Sequence, residues 1–304
     1  MYINEQTRMI LNGTPQFVSI RAERENAPLL LYLHGGPGDA ALPLVLKFNK
    51  ALESHFTVVV WEQRGAGKSY YKFDNPDAIT IDLFVSDLLQ LVQTLLRRFH
   101  QEKLFLVGHS WGSVLGLRFV RQYPDLVQTY VGCGQVVNMK KSCQSAYAFA
   151  LAGADKKTAE KLKKIDCTYS GETWLNDLLY VTKCVVKYKG SLYGETSYRK
   201  LVTPFLFSGQ YTLPDLIKRQ KGGMQAIRCL WQELMLTDFE PQTHFDAPVI
   251  FVEGAHDQHV SSALAKQYFD TIQTEKQFYW FDQSCHFPQW SENDRFNQLM
   301  IDLL

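Results

Sequence analysis

Short apolar runs alternate with amphipathic stretches along much of this 304-residue chain. Runs of strand length occupy residues 28–33, 57–61, 103–107 and Val127–Cys133, where apolar side chains dominate instead of appearing at every second position. That pattern fits strands buried on both faces, as in a parallel sheet. Between the runs, Leu83, Leu88, Leu91, Leu95 and Phe99 recur at helical spacing and predict a helix over Ile81–Phe99. A second helix is expected over residues 110–123, with Pro124 just beyond its end. Strands alternating with helices predict an α/β fold: a mostly parallel sheet covered on both faces.

The alternation stops at Gln135 and resumes after Pro248. Residues 249–253 and Lys276–Phe281 then read as strands, and residues 261–272 and 294–304 as helices. One α/β core domain, residues 1–134 and 245–304, interrupted by a helical cap over residues 135–244, accounts for this order. Charge sets the insertion apart: it carries 16 Lys/Arg against 10 Asp/Glu, in a chain that balances 32 against 31 overall. A balanced chain gives no basic stripe for nucleic acid. No apolar run approaches the roughly 20 residues needed to cross a bilayer, so no membrane partner is expected. The N-terminus is polar and lacks a signal-peptide stretch. The six cysteines are dispersed without a CxxC pair, which fits free thiols and a cytoplasmic protein without a metal site.

The candidate chemistry starts at Gly108-His109-Ser110-Trp111-Gly112, a G-x-S-x-G sequence between a predicted strand and a predicted helix. In a sharp strand-to-helix turn, side chains two residues either side of the serine collide, and glycine removes them. Ser110 is therefore the candidate nucleophile. A glycine loop, His34-Gly35-Gly36-Pro37-Gly38, follows the first apolar strand, where a side-chain-free backbone lets an amide approach a reacting carbonyl. The amides of Gly36 and Trp111 are the expected oxyanion donors, with Gly36 preferred over Gly35. A serine needs a base and the base an orienting carboxylate, in the chain order Ser, acid, His for such a sheet. Asp257 follows strand 249–253 and His286 follows strand Lys276–Phe281, so both sit in loops at strand C-terminal ends. Asp282 lies almost beside the histidine in sequence and is the poorer acid. His34 and His109 are expected to hydrogen-bond within their loops. The run Gly65-Ala-Gly67-Lys68-Ser69 is no phosphate loop, because Glu62 occupies the position where the first glycine belongs.

With HGGPG at 34–38, WEQRGAGKS at 61–69 and GHSWGS at 108–113, the chain resembles the α/β-hydrolase fold and, within it, the proline iminopeptidase-like serine peptidase family. The resemblance implies release of an N-terminal residue from a short peptide or amide through an acyl-enzyme on Ser110, beneath a helical cap and with no cofactor. Two positions depart from the usual family pattern: His109 replaces a glycine and Glu62 an aspartate. A carboxylesterase acting on small acyl esters would use the same triad and is the alternative. An aminopeptidase must bind an ammonium group, and family members use cap glutamates for this. Glu233, beside Trp231, is the expected cap carboxylate, with Glu240 a second possibility.

Overall fold

The computed structural model describes residues 2–304. Eight strands form one sheet: β1 (Ile3–Leu11), β2 (Thr14–Ala22), β3 (Leu29–Leu33), β4 (Thr57–Glu62), β5 (Leu104–His109), β6 (Val127–Cys133), β7 (Val249–Gly254) and β8 (Lys276–Phe281). Their spatial order is β1-β2-β4-β3-β5-β6-β7-β8. Strands β3 to β8 are parallel, and β2 runs antiparallel to both its neighbours.

Each central strand is apolar on both faces, and its alternate residues feed two cores. Leu29, Leu31, Leu33, Val59, Trp61, Leu104 and Leu106 enter one core. Leu30, Tyr32, Val58, Val60, Phe105 and Val107 enter the other. The second core packs against α1 (Leu42–Phe48) and the first against α2 (Ile81–Phe99) and α3 (Trp111–Gln122). Helix α2 starts where the Thr80 hydroxyl accepts the Leu83 N–H at 3.2 Å, and stops where His100 turns left-handed.

Between β6 and β7 the chain forms α4 (Met139–Ala152), α5 (Lys156–Leu162), α6 (Trp174–Lys187), α7 (Arg199–Phe207) and α8 (Leu213–Leu234). Helices α4, α5, α6 and α8 extend the first core through residues such as Cys143, Ala150, Leu162, Val181, Val185 and Leu230, whereas Leu201 and Phe205 of α7 join the second. After β7 come α9 (Ser262–Thr271), the single turn α10 (Pro288–Ser291) and α11 (Asn293–Ile301), which closes the second core with Phe296 and Met300. No helix among the described residues is long and apolar enough to cross a membrane.

The hairpin of β1 and β2 lies outside the strands predicted from apolar runs. Residues Ile3 to Ile10 alternate between half-buried and exposed, and the strand's consecutive apolar residues are confined to Met9–Leu11 at its end. Its signal is the turn: Asn12 and Gly13 take φ of 43° and 73°, the left-handed pair of a type I′ hairpin. A buried ionic network holds this turn to α2. The Asp87 carboxylate, fully buried, accepts two hydrogen bonds from Arg64 at 2.8 Å, one from Asn12 at 2.8 Å and one from Gln16 at 2.7 Å. The chain leaves β3, β5, β7 and β8 at one edge of the sheet, the edge where open α/β sheets place their ligands.

Candidate active site

Ser110 is the residue between β5 and α3, with φ 54° and ψ −120°. A non-glycine residue rarely occupies that region, and it persists only where the surroundings enforce it. Here they do. The Ser110 N–H donates to the Cys133 carbonyl at 3.0 Å, and the Ser113 hydroxyl donates to the Ser110 carbonyl at 2.5 Å. A side chain on Gly112 would collide with the Leu33 carbonyl, and one on Gly108 would meet the Gly112 carbonyl at 2.7 Å. Only glycine at both positions permits the turn.

His286 and Asp257 occupy the loops after β8 and β7. Nδ1 of His286 lies 2.8 Å from Oδ2 of Asp257, with both side chains buried. The other carboxylate oxygen accepts the N–H groups of His259 at 2.8 Å and Val260 at 3.0 Å. Burial pushes the Asp257 carboxyl up from its ordinary value, opposed by nearby His259 and by those two amides. Burial also pushes His286 down to about 3, so its ring is neutral at neutral pH. With Nδ1–H donated to the carboxylate, the neutral ring leaves a lone pair on Nε2. The His259 ring stacks on His286 with centroids 4.5 Å apart, and His109 holds the His286 carbonyl through Nε2 at 2.9 Å.

The three sequence motifs form one hydrogen-bonded unit. Gln63 donates its N–H to His34 Nε2 at 3.0 Å and its side-chain amide to the His34 carbonyl at 3.1 Å. Its side-chain oxygen accepts Trp111 Nε1–H at 2.8 Å. His34 donates Nδ1–H to the Gly35 carbonyl at 2.7 Å, and burial pushes its pKa down to about 4. Gly36 stands at φ 124°, where a side chain would meet the amides of Gly38 and Asp39. Among the described residues, the Gly36 and Trp111 amides make no backbone hydrogen bond. Trp111 is the first residue of α3, where helix amides lack an intrahelical acceptor. Glu62 is fully buried and accepts the Tyr211 hydroxyl and the Lys68 amide, each at 2.5 Å, which ties the insertion to β4.

Two cavities meet at Ser110 and share Gly36 and His259. The inner one, about 80 Å³, is mostly apolar, with Val136, Met139, Ala146, Val181 and Leu234 in its wall. The outer one, about 220 Å³, is lined by His286, Tyr198, Phe287, Asp39 and Arg219 among others.

The expected cap residues require correction. Glu233 lines neither cavity at Ser110. Its carboxylate accepts the Ile81 N–H at 2.8 Å, at the start of α2, and lies 3.5 Å from Arg118. A helix N-terminus with its free amides is a favourable place for a carboxylate, and the C-terminal turns of α8 pass beside it. Trp231 lines neither cavity either; it stacks on Trp174 at 5.1 Å and donates Nε1–H to the Tyr169 carbonyl at 3.3 Å. Glu240 pairs with Lys141 at 2.6 Å and also lies outside both cavities. The sequence reading missed Gln63 and His259. Gln63 had a signal in the WEQRG segment; His259 had only its closeness to Asp257.

The family model described as alpha/beta hydrolase fold matches residues 28–293. A probable aminopeptidase YbaC of Bacillus subtilis is 32% identical, over 94% of this chain and 92% of its own length. A proline iminopeptidase of Lactobacillus helveticus is 29% identical over 41% of each chain. The crystal structure of a proline iminopeptidase from Mycobacterium smegmatis superposes with a TM-score of 0.73 at 17% identity, over 99% of this chain and 97% of that one. Fold, motif network and relatives agree: this chain belongs to the α/β-hydrolase family, among its proline iminopeptidase-like members.

Proposed function

We propose that this chain is a serine hydrolase that works through an acyl-enzyme, an aminopeptidase releasing a small N-terminal residue from short peptides or amides. The observation that carries the reading is the buried His286–Asp257 pair at 2.8 Å, with His286 in the wall of the cavity onto which the strained Ser110 opens. In this reading the Nε2 lone pair of His286 takes the Ser110 hydroxyl proton as the oxygen attacks the carbonyl. Asp257 holds the ring orientation and stabilises the imidazolium. The amides of Gly36 and Trp111 receive the oxyanion. The imidazolium then gives its proton to the leaving amine, and water, deprotonated by the same ring, releases the acid. Helices α4 to α8 act as the cap over this chemistry. The names of the relatives support a peptidase over an esterase.

The inner cavity is the acyl side-chain site. Its small volume, roughly 80 Å³, and its mostly apolar wall suit a small aliphatic side chain. Ala146→Phe fills it, and kcat/KM for proline and leucine p-nitroanilides then falls at least about tenfold more than for glycine p-nitroanilide, a methylene-scale discrimination. Equal losses on all three substrates would place the side chain elsewhere.

The pH dependence follows from His286. The active form carries a neutral ring, and burial lowers the ring's pKa, so activity is retained above that pKa and lost below it. With p-nitrophenyl acetate, which does not titrate, kcat/KM should be flat through neutrality and decline only well below the ordinary histidine value of about 6.5. An acid limb centred at or above that value would contradict this environment.

The function itself is tested by comparing alanine and proline p-nitroanilides with p-nitrophenyl acetate and butyrate. Anilide turnover is the expected result. Ester turnover without anilide turnover would move the chain to the carboxylesterases.

A further inference from the structure

An aminoacyl substrate carries its ammonium one carbon away from the carbonyl under attack. The group that receives this charge must therefore stand beside the oxyanion loop, which excludes Glu233 at the start of α2 and Glu240 on Lys141. Among the described residues lining the two cavities at Ser110, Asp39 is the one carboxylate. Its side chain springs from the oxyanion loop itself: a Cβ built on Gly36 would stand 3.4 Å from the Asp39 Cβ.

The insertion holds this carboxylate in place. Arg219 of α8 donates Nε–H to Asp39 Oδ1 at 2.5 Å. The guanidinium carbon lies 3.9 Å from the centre of the Phe205 ring, so the arginine is itself packed against a fixed surface. Oδ2 of Asp39 takes no hydrogen bond from the described residues. The pair is partly exposed, at 43% for the aspartate side chain and 26% for the arginine, as a residue at a cavity mouth must be to meet a substrate.

We propose that Asp39, oriented by Arg219, binds the α-ammonium of the substrate and selects free N-termini over blocked ones. This assignment rests on the aminopeptidase reading and gives it a specificity residue. Arg219 neutralises the carboxylate while the site is empty and leaves Oδ2 available for a charge-assisted hydrogen bond. The site is built from both parts of the chain: the acid comes from the core loop and its support from α8.

The test compares wild type, Asp39→Asn and Asp39→Glu on alanine p-nitroanilide, with p-nitrophenyl acetate measured on the same preparations. Asp39→Asn should lower the anilide-to-acetate ratio of kcat/KM by about 10- to 100-fold, mainly through KM, as loss of a hydrogen bond between charged groups does. Asp39→Glu, which keeps the charge, should recover part of that loss. In wild type, kcat/KM for the anilide should also decline as the pH rises through the pKa of the substrate amine, about 8 or below, and this limb should vanish in Asp39→Asn. A ratio unchanged in Asp39→Asn, or a wild-type anilide profile with no alkaline limb, would overturn the assignment while leaving the aminopeptidase reading intact. Wild type that turns over the acetate but no aminoacyl anilide would remove both.

Discussion

Ser110→Ala should reduce kcat by at least about 10⁴-fold on anilide and ester alike, with no loss of folded structure, because the proposed reaction would lose its nucleophile. The residual rate reflects binding and the oxyanion donors, so adding His286→Ala or Asp257→Asn to Ser110→Ala should cost little more. The backbone supplies a second readout at the same position. At φ 54° a non-glycine residue is strained, so Ser110→Gly should be as inactive as the alanine variant yet more stable, by about 1 kcal/mol, since glycine adopts positive φ freely. Inactivity together with a gain in stability is the mark of strain held for function. Retained activity in either variant would show that the hydroxyl is not the reacting group.

Asp87→Ala should cost about 3–5 kcal/mol and lower Tm by about 10 °C, while leaving the residues around Ser110 in place. Asp87 has no exposed surface, and it is the shared acceptor for Arg64, Asn12 and Gln16. Removing it strands the Arg64 guanidinium, 5% exposed, without its counterion. The cost is that of an uncompensated buried charge and exceeds the net worth of the pair. Replacing both partners at once, Arg64→Met with Asp87→Leu, should therefore recover most of the stability. A change in Tm within 2 °C of wild type, on the same scale of about 2–4 °C per kcal/mol, would mean that water reaches Arg64 when its partner is removed.

The core sheet was legible because its physics is local. Strands β3 to β7 are almost wholly buried, and their apolar runs and the glycines at their exits carry the information within a few residues of each other; β8 is half-buried. The hairpin was harder to read, because one face of β1 meets solvent and its sequence from Ile3 to Leu11 is half polar. Its marker was the Asn12–Gly13 turn rather than hydrophobicity. The insertion was legible as helices but not as a site. Helical spacing places Glu233 and Trp231 on α8 without saying which neighbour each face meets. That depends on how α8 lies against α2 and α6, which no short stretch of sequence encodes. The contact between Asp39 and Arg219 spans 180 residues and joins two parts of the chain that look unrelated in sequence. For the same reason Gln63, inside a visible motif, could not be seen to join His34 to Trp111 until the loops were folded together.

The proposed mechanism requires Ser110 to react covalently through His286. Intact-protein mass spectrometry after treatment with a fluorophosphonate, followed by peptide mapping, addresses it directly. One adduct per chain on Ser110 is expected, formed rapidly in wild type, much more slowly in His286→Ala, and absent in Ser110→Ala. A folded wild-type protein that stays unlabelled, or that is labelled equally well after Ser110→Ala, would contradict it.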